Sequence, residues 1–155
     1  MDRYVINGGK SLYGEVDIQG AKNSVLPILA ATVISGKVST ISNIPKLRDV
    51  EMMIKILSSL GAAVSLDQNE VAIDSAGINR CELPEELVRE MRSSIIIMGA
   101  MLARFKEVKI AFPGGCEIGP RPIDLHLKAL RQMGANIDEA HGFLECSTTG
   151  LKGSE

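Results

Sequence analysis

Aromatic residues are scarce in this chain, which has no Trp, two Tyr and three Phe among 155 residues. Aliphatic side chains and Met must therefore fill the core, and a hydrophobic content of 45% is enough to build one. The formal net charge is −2. A general nucleic-acid surface depends on excess basic residues and stacking rings, so we expect a packed globular domain without a nucleic-acid partner.

The chain also lacks long apolar runs and paired cysteines. Its longest apolar run, Ile95 to Ala103, is too short to span a bilayer, and its first ten residues, MDRYVINGGK, lack the apolar core of a signal peptide. Cys81, Cys116 and Cys146 are odd in number and widely spaced, which disfavours a disulfide framework. With two histidines and no CxxC, no metal site or other cofactor is expected. These features predict a cytoplasmic protein with no membrane partner.

What the chain does contain is an internal repeat. The segment LSSLGAAV (57–64) matches LRQMGANI (130–137) at an offset of 73 residues. Earlier, KNSVLPILAATV (22–33) matches RSSIIIMGAMLA (92–103) at an offset of 70, which also places Val38 on Val108. The difference places a three-residue insertion between about Val108 and Arg121. Two matches in the same order predict a duplicated unit.

Each unit is predicted to contain an apolar, buried helix followed by an amphipathic, superficial one. The first apolar helix is predicted from Asn23 to Ile34, with Asn23 as its N-cap. Its counterpart is predicted to end at Leu102, with Ser93 or Ser94 as its N-cap.

Strands are predicted around these helices. Extended segments are expected within 5–18, strands at 38–44 and 108–112, and hairpins that turn at 67–70 and near 141–142. The pattern is strand, helix, strand, helix and strand pair. It predicts an α/β fold built from repeated βαβαββ units.

Two pairs of cations occupy matching places in the repeat. Lys22 and Arg92 begin the apolar helices, where a cation is mildly unfavourable unless an anion is bound. Arg48 and Arg121 precede the amphipathic helices, and a guanidinium suits phosphate or carboxylate. Together they predict a basic cleft for an anionic small molecule. The alternative is that each side chain extends into solvent and binds nothing.

Cys116 lies in the loop AFPGGCEIGPRPID (111–124), which glycines loosen and prolines bound. A thiol on an exposed loop near Arg121 is a candidate reactive group, the alternative being an incidental free cysteine. Cys146 aligns with Ile73 on a strand, so we expect it in the core.

Four motifs carry a resemblance to a known family. PGGCEIGPRPIDLH (113–126) resembles the active-site loop of the UDP-N-acetylglucosamine 1-carboxyvinyltransferases, or UDP-GlcNAc enolpyruvyl transferases, and GAKN (20–23), RDV (48–50) and MRSS (91–94) fit the same family in the same order. The resemblance implies transfer of the enolpyruvyl group of phosphoenolpyruvate to the 3-hydroxyl of UDP-GlcNAc with release of phosphate, the first committed step of peptidoglycan synthesis.

The resemblance also implies an inside-out α/β barrel of two lobes with three units each. Residues 1–20 would be a strand segment joining the second lobe, 21–90 the first unit and 91–155 the second unit of the first lobe. The third unit and the second lobe, which in the family supplies the base, would be absent. We therefore expect an N-terminal fragment that is inactive alone, with self-association through the uncovered surfaces.

By the same resemblance, Lys22 would bind phosphoenolpyruvate with Asn23 beside it, and Arg92 would contact the UDP-sugar. Cys116 would be the general acid, the residue that forms a covalent substrate adduct and the site of fosfomycin attachment. The uridine end would be held by Arg121, Pro122, Ile123, Asp124 and Leu125.

Two other readings stay open. One is the sister enolpyruvyl transferase that uses shikimate 3-phosphate, which lacks this cysteine loop. The other is a non-catalytic fragment, such as a truncated gene product or a degenerate copy.

Overall fold

The structure, a computed structural model, describes residues 3–113 and 122–154. Its helices and strands alternate, which confirms the predicted α/β class. In chain order they are α1 (Lys22–Ser35), β1 (Val38–Ser42), α2 (Arg48–Leu60), β2 (Ala63–Asp67), β3 (Glu70–Asp74), α3 (Glu85–Glu90), a 3-10 helix (Arg92–Ile95), α4 (Ile96–Phe105), β4 (Glu107–Ala111), α5 (Asp124–Gln132), β5 (Ala135–Ala140) and β6 (Phe143–Thr148).

The strands form two three-stranded antiparallel sheets with the same topology, β1-β3-β2 and β4-β6-β5. Both predicted hairpins are present. The first turns through Gln68, with φ 45°, and the second through His141 and Gly142, with φ 54° and 82°. The matching strand order is what a duplicated unit predicts.

The register of the two sheets corrects one detail of the repeat. Val38 lies opposite Asp74 and is 64% exposed, whereas Val108 lies opposite Cys146 and is 2% exposed. Ser39, opposite Ile73, therefore takes the place of Val108, and the predicted match of Val38 with Val108 is wrong. The shift of one residue arises between helix and strand. Strand β4 begins directly after Lys106, the left-handed C-cap of α4, whereas Lys37 lies between Gly36, the left-handed C-cap of α1, and β1.

Neither the extended segments predicted within 5–18 nor the first strand of the predicted βαβαββ pattern forms a regular strand in the described residues. Residues 3–20 contain no strand, and their apolar side chains are exposed. In the second unit a single parallel bridge joins Glu82 to Lys109. The segment meets the body of the protein at Gly20, where an added Cβ would lie 2.3 Å from the Asn43 carbonyl oxygen.

The core lies between the helices and the inner faces of the sheets, and α1 packs along both α4 and α2. As predicted, α4 is largely buried. The apolar helix α1 is buried on one side, while Ile28 and Ile34 on its other side are 48% and 54% exposed. None of the helices in the described residues combines the length and the apolar character that a membrane span requires.

Candidate anion-binding site

Helices α1 and α4 run side by side in the same direction. The Arg104 guanidinium, near the end of α4, donates to the Val33 carbonyl near the end of α1 at 2.8 Å and to the Ser75 carbonyl at 2.8 Å. From these ends the helices run back about 16 Å to Lys22 and about 20 Å to Arg92. Lys22 and Arg92 therefore lie at the same end of the helix pair.

Lys22 is anchored to the start of α2. Its Nζ lies 2.5 Å from Oδ2 of Asp49, the second residue of that helix. The Lys22 side chain is 50% exposed and that of Asp49 is 28% exposed. The contact brings the first turns of α1 and α2 together at the surface.

Arg48 extends the connection into the second unit. Its Nη2 donates to Oε2 of Glu90 at 2.8 Å, and Glu90 is two residues before Arg92. Both side chains of this pair are exposed, so the pair contributes little to stability. Its consequence is geometric, because it holds the start of α2 near the 3-10 helix.

Arg92 in turn reaches the start of α5. Its Nη2 donates to the Pro122 carbonyl at 3.2 Å, and the next residue, Ile123, is the N-cap of α5. Asp124 and Leu125 form the first turn of that helix, and Leu125 is largely exposed.

The structure thus brings Lys22, Arg48 and Arg92 together with the segment 122–125 at one end of the molecule. Asn23 follows Lys22 in the first turn of α1, and its side chain is exposed. Cys116 and Arg121 lie outside the described residues. The residues of the predicted cleft that can be placed are connected by direct contacts rather than dispersed over the surface.

The helices at this end begin without side-chain caps. The N-caps are Ala21 for α1, Met91 for the 3-10 helix and Ile123 for α5, none of which makes a side-chain cap bond. The predicted caps Asn23, Ser93 and Ser94 are therefore wrong. Helix α1 begins at Lys22, and a 3-10 helix that begins at Arg92 precedes α4, so Asn23 lies inside α1 and Ser93 and Ser94 lie inside the 3-10 helix. The free N–H groups and partial positive charge of such helix starts favour an anion.

The sequence reasoning missed the two carboxylates of this site. Asp49 and Glu90 hold the cations, but at an offset of 73 Asp49 corresponds to Pro122, so a search for like residues at matching positions does not find it. A search for charge complementarity around each cation would have been the useful signal.

His126 is a further titratable residue near this end of the helices. It lies in the first turn of α5, and burial lowers the pKa of its imidazole, against a weaker raising effect of a backbone hydrogen bond to Ile95. Its Nε2 is buried without a hydrogen-bond partner in the part of the chain that the structure describes. His126 therefore packs α5 against the 3-10 helix that carries Arg92. Its lowered pKa keeps the His126 imidazole neutral near pH 7.

The two described thiols are not activated. Cys146 is buried, as predicted, and burial raises its pKa to about 11. Burial, followed by the charge of Glu107, also raises the pKa of Cys81. A thiol has to lose its proton to act as a nucleophile, so neither residue is a candidate for one near pH 7.

Other surfaces of the described residues suit an anion less well. A groove of about 620 Å³ at the second sheet has four carboxylates among its ten lining residues, and Lys109 is its one cation. Within residues 3–113 and 122–154 no group of His, Cys, Asp and Glu side chains is arranged to hold a metal ion. The cationic end of the helices is therefore the candidate functional site.

The α/β fold of this chain resembles that of solved enolpyruvyl transferases. The structure is similar to the enolpyruvyl transferase NikO from Streptomyces tendae, with a TM-score of 0.77 at 22% identity over 93% of this chain and 32% of that one. It is also similar to the EPSP synthase from Acinetobacter baumannii, with a TM-score of 0.63 at 17% identity over 92% of this chain and 34% of that one. These likenesses agree with the predicted fold.

Residues 6–154 match the family model of EPSP synthase (3-phosphoshikimate 1-carboxyvinyltransferase), so the chain belongs to this family. It is 50% identical, over its whole length, to UDP-N-acetylglucosamine 1-carboxyvinyltransferase 2 of Caldanaerobacter subterraneus subsp. tengcongensis. It is 49% identical, over 99% of its length, to UDP-N-acetylglucosamine 1-carboxyvinyltransferase 1 of Clostridium acetobutylicum. The chain spans 37% of the length of each of these relatives. The resemblance inferred from the motifs is confirmed.

Proposed function

We propose that the protein takes part in transfer of the enolpyruvyl group from phosphoenolpyruvate to the 3-hydroxyl of UDP-N-acetylglucosamine, with release of phosphate. The observation that carries the proposal is the group of Lys22, Arg48 and Arg92 at uncapped helix starts. Both substrates are anionic. The relatives are named for UDP-N-acetylglucosamine, which favours this sugar nucleotide as the acceptor.

In this proposal Lys22 binds phosphoenolpyruvate with Asn23 beside it, and Arg92 contacts the UDP-sugar. Arg121 and the segment 122–125 hold the uridine end. Cationic groups fixed before the reaction lower its barrier because they need not reorganise as charge develops. The connected ion pairs of the site supply that fixation for the described residues.

Cys116 is the proposed general acid. Its thiol gives a proton to the methylene carbon C3 of phosphoenolpyruvate, which makes C2 electrophilic, and the sugar hydroxyl attacks C2 as it loses its own proton to a base. The tetrahedral intermediate then releases phosphate while C3 loses a proton, which restores the double bond. The same thiol would form the covalent substrate adduct and react with fosfomycin.

We further propose that the 155 residues alone turn over negligibly, because they span 37% of the length of the relatives. The base for the sugar hydroxyl would come from sequence that this chain does not share with them. In this proposal the reaction takes place in the cytoplasm as a step of peptidoglycan synthesis. It thereby serves cell-wall formation and cell division.

The test is to incubate the chain with fosfomycin and UDP-GlcNAc and to map adducts by mass spectrometry. We expect one adduct, on Cys116, because the two other thiols have raised pKa values. Cys116→Ala should abolish it, whereas Cys81→Ala, the matched control, should not. Equal labelling of all three cysteines, or none, would contradict a formed site, and rapid product formation by the chain alone would contradict its inactivity.

A second candidate is transfer to shikimate 3-phosphate, which the name of the family model favours. Saturation-transfer NMR with each acceptor distinguishes the two. We expect signals from the uridine of UDP-GlcNAc that weaken in Arg92→Ala. Signals from shikimate 3-phosphate alone would favour the sister activity, and binding of neither would favour a non-catalytic fragment.

A further inference from the structure

The ion pair between Lys22 and Asp49 has a counterpart in the second unit. At the offsets of the repeat, Arg92 corresponds to Lys22 and Pro122 corresponds to Asp49. The Lys22 ammonium pairs with the Asp49 carboxylate, and the Arg92 guanidinium donates to the Pro122 carbonyl. In both units, the cation that begins the first helix is therefore tied to the start of the second helix.

This recurrence indicates an arrangement kept through a duplication, not a chance surface contact. The accepting group of the tether is a carboxylate in the first unit and a backbone carbonyl in the second. The position of the tether is the same in both units, and so is the positive charge of the side chain that it holds. A backbone carbonyl carries no net charge, so it cannot neutralise the Arg92 guanidinium. What the two tethers have in common is therefore that each orients the side chain of its cation.

We propose that Asp49 is a positioning residue that holds the Lys22 ammonium toward the anion of the substrate, an inference that rests on the proposed function. An ammonium has three N–H donors, and the contact with Asp49 uses one of them. The remaining two are available to the phosphate or carboxylate of phosphoenolpyruvate. Asp49 is suited to this role because α2 fixes its backbone and the start of that helix favours a carboxylate.

Two opposite effects of the carboxylate can be separated by their sign. As a nearby negative charge, Asp49 should weaken anion binding, and its removal should strengthen it. As a tether, it should strengthen binding, because a lysine side chain loses much rotational freedom when it is ordered at the moment of binding. Since the Lys22 side chain is half exposed, solvent screens the charge effect and the tether should dominate.

The matched control is Glu51, which lies in the same first turn of α2 as Asp49 and is exposed. Its change to Gln alters the net charge and the helix start as Asp49→Asn does. Among the ion pairs of the described residues it has none with Lys22. Comparison of Asp49→Asn with Glu51→Gln therefore isolates the tether from the charge and from helix stability.

Two measurements test the proposal on the 155-residue chain. The first is ¹³C relaxation at the Lys22 Cε, which reports the order of the side chain without any ligand. The second is the affinity for phosphoenolpyruvate by calorimetry. We expect lower Lys22 order and about fivefold weaker binding in Asp49→Asn, partial recovery in Asp49→Glu, and a change within about 1.5-fold in Glu51→Gln.

Unchanged Lys22 order in Asp49→Asn would overturn the proposal even if no ligand bound. Tighter binding by Asp49→Asn would overturn it too, because Asp49 would then compete with the anion. A third outcome is that the order of the Lys22 side chain falls in Asp49→Asn while the wild type and Lys22→Ala bind phosphoenolpyruvate equally. The proposed function of Lys22 would then be wrong, and so would the inferred role of Asp49 toward the anion. Lower order together with weaker binding supports both.

Discussion

The two units share a backbone plan but use different side chains at equivalent places. Met53 of the first unit is fully buried, whereas its counterpart His126 is half-buried with a depressed pKa. Ile34 of the first unit is exposed, whereas its counterpart Arg104 donates to two carbonyls. The shared backbone plan therefore fixes where a side chain lies, and the residues packed against that side chain decide which contacts it makes.

The largest expected difference between the units is at Arg104 and Ile34. Arg104→Ala removes a guanidinium that joins the ends of both apolar helices and leaves two partly buried carbonyls without it. Hydrogen bonds from a charged donor are worth more than neutral ones, so we expect a loss of about 3 kcal/mol in the free energy of unfolding. Urea denaturation followed by circular dichroism measures it.

Ile34→Ala is the control, with an expected change below about 0.5 kcal/mol because the side chain is largely exposed. Equal losses in both variants would show that Arg104 does not tie the units together.

Val108 and Val38 test the corrected register of the repeat. Val108→Ala empties a buried position of β4 and should lower the free energy of unfolding by about 2 kcal/mol. Val38→Ala removes a mostly exposed side chain from β1 and should change it by less than about 0.5 kcal/mol. The same denaturation experiment applies, and similar losses at both positions would restore the simple match of Val38 with Val108.

The smallest expected effect is a pH dependence that the second unit has and the first lacks. The pKa of His126 is lowered by burial in the folded state from an ordinary value of 6.5, so the unfolded chain binds the proton more readily. The His126 contribution to stability is therefore constant above pH 6.5 and decreases as the pH falls below it.

His126→Met copies the first unit and should remove this part of the pH dependence, which thermal unfolding at pH 7.5 and pH 5.5 would show. A variant with the same loss of stability on acidification as the wild type would assign the effect to other groups.

Much of the fold could be predicted because its signals are local and repeated. The helix ending at Gly61 and the hairpins at 67–70 and 141–142 follow from residue spacing and turn chemistry, which depend on short stretches of chain. The helix starts were predicted less well. Asn23 and Ser94 are favourable caps by residue type, but the chain enters each helix before them.

The candidate site could be predicted from the sequence only where it repeats, and its role stays a prediction. Lys22 and Arg92 were singled out because they occupy matching positions at two helix starts. Asp49 and Glu90 were missed because each depends on a contact between elements distant in sequence, and the offset of 73 places a proline against Asp49. Whether Ile28 and Ile34 are covered is likewise decided by packing between elements and not by the pattern of α1 itself.

The exposed segment 3–20 has a spectroscopic consequence. The chain has no Trp, and its two tyrosines, Tyr4 and Tyr13, lie in this segment with exposures of 97% and 95%. Intrinsic ultraviolet fluorescence will therefore report the surroundings of the segment and remain almost silent on the state of the core. A change in tyrosine emission on adding another molecule would mean that something has come into contact with these residues.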